Sequence, residues 1–406
     1  MQTNFNLDSF IKKYVTKREK SLLESDFKKY DTELKKRING KNVLVIGGAG
    51  TIGSSYIKAI LKFNIKKLVV VDINENGLTE LVRDLRSSVG YNIPEDFITY
   101  PINFGDRVFE KLFRQIGPFD IVANFAAHKH VRSEKDIYSI EAMIENNVLR
   151  ARKLLDLLLE FPPEHFFCVS TDKAANPVNI MGASKKLMEE LIMAYASKLP
   201  IKTARFANVA FSNGSLPLGF IERMNKNQPW SCPLGIRRFF VSPQESGELC
   251  LIASIMGESG DIFYPKLDEE KDMIPFDQIA KDLLSVLGLK PDICSSEEEA
   301  CKKALLLNHD STTYPIYFFG SDTSGEKAYE EFFTDEELLE KEKFINLGVI
   351  KNSKKRNSKE IDEIFTSINK LFETKEVTKA SVVEILKEYL PNFQHIEKGK
   401  GLDQKM

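Results

Sequence analysis

Asn42-Val43-Leu44-Val45-Ile46-Gly47-Gly48-Ala49-Gly50-Thr51-Ile52-Gly53 is an apolar run that breaks into glycines and then opens a helical pattern. Gly47, Gly50 and Gly53 stand at G-x-x-G-x-x-G spacing. The first allows a tight turn, the second lets backbone approach a pyrophosphate, and the third allows close packing of helix on strand. Thr51 and Ile52 begin the helix, whose first N–H groups lack intrahelical partners and are offered to phosphate. A glycine-rich turn without a ligand is the alternative reading. Against it stands Asp72, which closes the next apolar run, Lys67–Asp72, at the expected distance. Its carboxylate suits the ribose hydroxyls of adenosine and repels a 2′-phosphate. No Arg or Lys occurs in Ile73-Asn74-Glu75-Asn76, so the pattern favours NAD over NADP. Asn103 and Phe104 follow the third apolar run, where an amide and a ring edge suit adenine. Ala126 and Ala127 end the fourth, where small side chains let a cofactor lie against backbone.

Outward from this stretch, strand and helix patterns alternate. Strands are expected at Asn42–Gly47, Lys67–Asp72, Phe97–Ile102, Asp120–Asn124, His165–Ser170 and Ile201–Ala207. Helices are expected at Thr51–Lys62, Glu75–Ser87, Asp106–Ile116, Ser139–Glu160 and Ile180–Lys198. Such alternation demands right-handed crossovers and a parallel sheet covered on both faces. The fold class is therefore α/β, a doubly wound parallel sheet of the Rossmann type, in residues 40–210. Residues 1–39 carry Leu23, Phe27, Tyr30, Leu34 and Ile38 at helical spacing, which reads as an N-terminal helical arm. Beyond residue 210 the alternation fades into a smaller substrate-binding region, 211–350, interleaved with the last strands. A basic run from Lys351 to Lys359 reads as a solvated linker within 351–406, ahead of helices at Lys359–Phe372 and Lys379–Leu390. The apolar helices Ser139–Glu160 and Ile180–Lys198 suit a helix-paired homodimer.

Composition narrows the function class. The 406 residues carry a net charge of -2, with no footprint for nucleic acid. Hydrophobic residues at 42% and charged residues at 29% fit a soluble protein with a sizeable core. Five cysteines without a C-x-x-C pair fit neither a disulfide framework nor a zinc cluster and suit a reducing cytoplasm. No run approaches the roughly 18 apolar residues of a membrane span, so a cytoplasmic location is expected.

Several further motifs carry a resemblance. They are Ala126-Ala127-His128-Lys129-His130-Val131, Asn146-Asn147-Val148, Ser170-Thr171-Asp172-Lys173-Ala174, Asn179 to Lys185, Arg205-Phe206-Ala207-Asn208-Val209, Arg238-Phe239-Phe240 and Asp322-Thr323-Ser324-Gly325-Glu326-Lys327. Together with Gly47–Gly53 and Asp72–Asn76, the chain resembles the extended short-chain dehydrogenase/reductases, specifically the polysaccharide-biosynthesis 4,6-dehydratases acting on UDP-N-acetylglucosamine. The resemblance covers about residues 40 to 345. It departs at Asn103, where the family has Asp, and at Ala207, where it has Gly; Phe211–Arg237 matches only loosely.

The resemblance implies a cycle in which NAD+ takes a hydride from sugar C4, water is lost across C5 and C6, and the hydride returns to C6. It implies catalytic roles for Thr171, Asp172, Lys173 and Lys185. Lys173 is expected to act as base, Asp172 as acid, and Lys185 to hold the nicotinamide ribose. The usual tyrosine, four residues before Lys185, is replaced by Met181, which moves no proton. Either Thr171 then relays the C4 proton, directly or through water, or the first oxidation lacks a conventional base. His128, Lys129, Met181, Asn208 and Arg238 are expected to contact substrate, with Asn208 and Arg238 on the diphosphate. His128 and His130 make a poor metal site, with two ligands and no third, and no metal is expected. Plainer readings stand beside these: a solvent-facing Asp-Lys pair, a helix-surface Lys185, an Arg238 surface ion pair. Two other functions stay open, a nucleotide-sugar 4-epimerase or reductase and a non-catalytic NAD-sensing protein.

Overall fold

The computed structural model describes residues 5–320, 331–374 and 376–397; the motif Asp322–Lys327 lies outside them. Short runs rich in Val, Ile and Phe form β1 (Asn42–Ile46), β2 (Lys67–Val71), β3 (Asp96–Tyr100), β4 (Ile121–Asn124), β5 (His165–Val169) and β6 (Ile201–Ala204). Three later strands join them: β7 (Asp261–Pro265), β8 (Leu339–Glu340) and β9 (Leu347–Ile350). Among the described residues these nine strands make one sheet in the order β8-β9-β7-β6-β5-β4-β1-β2-β3. From β7 to β3 every pairing is parallel, while β9 runs antiparallel to both its neighbours. β4 and β5 are buried along their whole length, as expected where both faces are covered. The doubly wound α/β architecture is thus the one expected. Its strand order reverses at β1, and the crevice beyond the carboxyl ends of β1 and β4 is where this topology holds ligands.

Helices α1 (Glu24–Ile38), α2 (Thr51–Ile60), α3 (Ile180–Ala194) and α4 (Pro243–Met256) fix the site. α4 is buried on nearly all sides and packs on α2. A Cβ at Gly247 would stand 2.2 Å from the Ser55 carbonyl, so only glycine permits this backbone contact. The helix expected at Ser139–Glu160 begins at Ile137 and contains a π-helical turn, Glu145–Leu149, between Ile137–Ile144 and Arg150–Glu160. A turn of that kind widens the helix locally and is frequent at functional sites; here it carries the buried Asn147.

The N-terminal arm does not trail from the fold. Asp26, fully buried in α1, accepts hydrogen bonds from the Ile345 and Asn346 N–H groups at 2.7 and 2.8 Å. Leu34 and Ile38 join the main core, whereas Phe10, Ile11 and Val15 join a second core with Phe211, Phe220, Trp230 and Phe240. Residues beyond 205 build two small three-stranded sheets as well as β7 to β9.

The basic run is an irregular linker whose Lys354, Lys355 and Lys359 are exposed, while two of its cations, Lys351 and Arg356, are tied into the fold. Lys351 pairs with Asp261 at 2.9 Å and Glu258 at 3.1 Å, and the buried Arg356 bonds Glu190 at 2.7 Å and the Tyr389 carbonyl. Carboxylates on the packed elements, invisible in a local charge count, draw these cations in. The closing helices, Ser358–Phe372 and Lys379–Tyr389, then pack on α3. Arg152, on the helix before β5, bridges to Asp362 and lies over the Phe365 ring at 4.7 Å. The closing helices thus cover part of the apolar flank of these helices within one chain. Among the described residues no helix is long and apolar enough to cross a membrane.

At the far end of the sheet, His165 Nδ1 lies 3.3 Å from Lys202 Nζ. Burial, then the charges of Lys202, Arg37 and Lys41, lower its pKa from 6.5 to about 3. The unfolded chain protonates this ring first, so stability should fall as pH drops below 6.5 and go on falling toward 3. By about pH 5 the loss should reach ~2 kcal/mol. Denaturant unfolding of wild type and His165→Gln across that range checks it; parallel curves would exclude the ring as the cause.

Candidate functional site

The glycine-rich turn is built for close approach. Gly47 has φ +75, and a Cβ there would lie 2.5 Å from Ala126 N. A Cβ at Gly53 would lie 2.2 Å from the Gly47 carbonyl oxygen. A Cβ at Gly50 would meet only that same carbonyl oxygen, at 3.5 Å, so side-chain-free backbone faces the crevice there. Thr51 and Ile52 form the first turn of α2. Asp72 sits at the end of β2, where Oδ2 accepts from Ala49 N and Oδ1 from Asn74 N, both at 2.9 Å. This cradle and carboxylate fit a dinucleotide, with the pyrophosphate on the α2 N-terminus and the ribose beside Asp72. Asn103 turns its Oδ1 back to Gly105 N at 2.9 Å. Phe104 is buried in the main core, so its ring is spent on packing instead of being offered to a base. Ala126 and Ala127 are partly exposed beyond β4.

Beyond them runs the His128–His130 loop, held by Asn147 from the π turn. Its Oδ1 accepts from His128 N at 2.9 Å, and its Nδ2 donates to the His128 carbonyl at 2.9 Å and to Ser184 Oγ at 3.0 Å. One amide therefore ties this loop to α3. Burial and the charge of Arg150 keep the His128 pKa below its ordinary value. Lys129 and His130 are exposed. Gly214 (φ +72) lies against the His130 ring, and Asn213 N donates to Thr51 Oγ1 at 3.0 Å. A groove of about 450 Å³ bordered by His128, His130, Lys135 and Gly214 opens here. Among the described residues no group of three or more His, Cys, Asp or Glu is placed to hold a metal.

Thr171, Asp172 and Lys173 follow β5 in a single 3₁₀ turn. Asp172 is buried, and its Oδ1 accepts from Thr171 Oγ1 at 2.8 Å, Lys173 N at 2.9 Å and Lys173 Nζ at 3.1 Å. Asp172 is therefore enclosed, while the Lys173 side chain keeps 19% of its surface exposed. α3 presses on it from behind: a Cβ at Gly182 would lie 2.6 Å from the Lys173 carbonyl. Asn179 caps that helix, accepting from Gly182 N at 2.7 Å.

Lys185 is buried, contrary to the helix-surface alternative. Its Nζ donates to the Val169 carbonyl at 2.7 Å and lies 3.4 Å from Met188 Sδ. Burial lowers its pKa, opposed by Cys168 and Glu189. Met181 is buried too, and its N–H donates to Glu134 Oε1 at 3.1 Å. Glu134, whose other oxygen is 3.4 Å from His395 Nε2, had no signal in the sequence. The segment bearing His395 ties down the loop ahead of α3 through Ile396 N to the Val178 carbonyl, 2.9 Å.

The two expected diphosphate residues share one small sheet. Asn208–Val209 pairs in parallel with Arg237–Val241, which pairs antiparallel with Met273–Pro275. Arg238 is buried instead of lying at the surface, and it donates through Nη1 to the Arg237 carbonyl at 2.9 Å. Asn208 Nδ2 is buried without a hydrogen-bond partner among the described residues. Leaving such a donor unpaired costs free energy that a ligand oxygen would recover.

Residues 43–352 match the family described as polysaccharide biosynthesis protein. A protein of Methanocaldococcus jannaschii named as an uncharacterized membrane protein is 31% identical, over 85% of this chain and 96% of its own. An inverting UDP-N-acetylglucosamine 4,6-dehydratase of Campylobacter jejuni is 29% identical over 57% of this chain and 69% of its own. A UDP-glucose 4-epimerase of Rickettsia typhi is 28% identical over 81% and 96%. The chain spans about half the length, 47%, of a capsular polysaccharide biosynthesis protein of Staphylococcus aureus that it matches at 28% identity. The solved structure of Pen from Bacillus thuringiensis superposes with a TM-score of 0.62 at 22% identity, covering 77% of this chain and 87% of that one.

Proposed function

The chain belongs to the polysaccharide biosynthesis protein family, and on that footing we propose that it is an NAD-dependent nucleotide-sugar 4,6-dehydratase acting on UDP-N-acetylglucosamine. The observation that carries this reading is the buried Asp172 carboxylate bonded at once to the Thr171 hydroxyl and to Lys173 Nζ. NAD held on the glycine turn would supply hydride-transfer chemistry, accepting from C4 and returning to C6. Lys185, already pointing at the end of β5, would hold the ribose of that cofactor.

The protons are the chain's own business. Thr171 passes the C4 hydroxyl proton to Asp172 Oδ1, along the hydrogen bond it already makes. Asp172 then gives that proton to the departing C6 oxygen, which leaves as water. Lys173 Nζ removes the C5 proton acidified by the C4 ketone and returns it to C5 once C6 has been reduced. Both groups end each turnover as they began. No phenol is needed, which accounts for Met181. Exclusion of water by bound sugar favours a neutral Lys173 amine over the ammonium.

Asn208 Nδ2 and Arg238 would bind the diphosphate, and the groove at His128 and His130, beside Lys129, would take the sugar or nucleoside. A 4-epimerase is the second reading, favoured by the Rickettsia relative. Incubation with UDP-N-acetylglucosamine separates them by mass spectrometry. A product lighter by one water is expected; an isobaric product would sink the dehydratase reading.

A further inference from the structure

Arg18 lies outside the span matched by the family and outside every motif described above. Its guanidinium is largely enclosed, with a side-chain exposure of 16%. Nε and Nη2 form a fork on Glu245, at 2.9 and 3.0 Å. Nη2 also donates to the Phe240 carbonyl at 3.0 Å, and Nη1 to Asp272 Oδ1 at 3.0 Å. Three separate segments meet on this one cation. Phe240 belongs to the strand that carries Arg238 and is the register partner of Asn208. Asp272 immediately precedes Met273–Pro275, the strand on the other side of Arg238. Glu245 closes the capping box that starts α4 just after the Arg238 strand.

A second contact from the arm reaches the same sheet. Phe211, three residues after Asn208, has φ +53, a left-handed conformation that a bulky residue rarely holds unaided. The Phe10 ring packs edge-on against it at 5.7 Å. The backbone leaving Asn208 is thus held by Phe10, and the Arg238 strand by Arg18.

We propose that Arg18 is a positioning residue for the nucleotide diphosphate: it fixes the small sheet so that Asn208 and Arg238 converge on one anion. This rests on the nucleotide-sugar reading for the identity of the anion, though not for the clamp itself. Lysine cannot replace it, because a single ammonium lacks the fork that spans Glu245, Asp272 and the Phe240 carbonyl.

The test uses the full chain as wild type, Arg18→Met and Arg18→Lys. UDP and NAD+ binding are measured by calorimetry and backbone protection by amide hydrogen exchange. Both variants should bind UDP roughly tenfold more weakly or worse, with NAD+ affinity changed less than about twofold. Amides of residues 208–211 and 238–241 should exchange faster, and those of β1 and β2 at the wild-type rate. Unchanged exchange in the small sheet overturns the proposal. So does full rescue by lysine, or loss of UDP and NAD+ binding together, which would mark a general fold defect. A wild type that ignores UDP, with exchange altered as stated, overturns the nucleotide-sugar reading and supports the clamp.

Discussion

Lys173→Met and Asp172→Asn should each lower turnover of UDP-N-acetylglucosamine by ~10²–10⁴-fold. The double variant should lose no more than the worse of the two. Non-additivity is expected because the groups act as one proton-handling unit, with Nζ 3.1 Å from Oδ1. Asparagine at 172 can still accept from Lys173 N and Thr171, so the 3₁₀ turn keeps its shape while the proton carrier is lost. NAD+ affinity should stay near wild type in both, since the glycine turn is built by β1 and α2 whereas both residues follow β5. Product formation by mass spectrometry reads the result. Activity within about threefold of wild type in Lys173→Met would remove that amine from the chemistry.

Arg205→Met should cost ~3–5 kcal/mol of unfolding free energy, the range for breaking a buried ion pair by deleting one partner. The Arg205 side chain is wholly enclosed. It forks on Glu189 at 2.8 and 2.7 Å and on Glu337 at 2.9 and 2.9 Å, and donates to the Phe332 carbonyl at 3.1 Å. Burial alone would raise the Glu189 pKa, but the charge and hydrogen bonds of Arg205, with help from Lys186 and Ser170, hold it below the usual carboxylate value. Methionine would leave the Glu189 and Glu337 carboxylates with only the Lys186 ammonium, 3.9 Å from each, to offset them. The Glu189 pKa would then rise, so acidification would stabilise the variant relative to wild type and narrow the gap. Denaturant unfolding at two pH values measures both effects; a loss under about 1 kcal/mol would show the cluster to be dispensable. Activity should suffer as well. Glu189 also accepts from Ser170 Oγ at 2.5 Å, one residue before Thr171.

The sheet was legible because β1, β2, β4 and β5 are buried on both faces and so read as unbroken apolar runs. The glycine turn and Asp72 were legible because their spacing is local. What escaped depends on contacts distant in sequence. α3 is buried on almost every side, so a polar-looking Lys185-Lys186 gave no sign that Lys185 faces inward while Lys186 keeps a foothold at the surface. Glu134 reaches Met181 N across 47 positions, and His395 reaches Glu134 across 261. Phe104 follows a strand as an adenine-binding residue would, yet packing claimed its ring. The π turn at Glu145–Leu149 departs from helical period within a strongly helical pattern and leaves no mark in the order of residues. Arg18, Phe10 and Phe211 lie in stretches that no short motif covers.

The C-terminal helices shield the apolar flank of α3 and of the helix bearing Arg152. Tethered cover of this kind is present at a fixed effective concentration, whatever the number of molecules in the tube. Mass action has no purchase on that seam, so dilution alone gives the helix carrying Lys185 no reason to loosen.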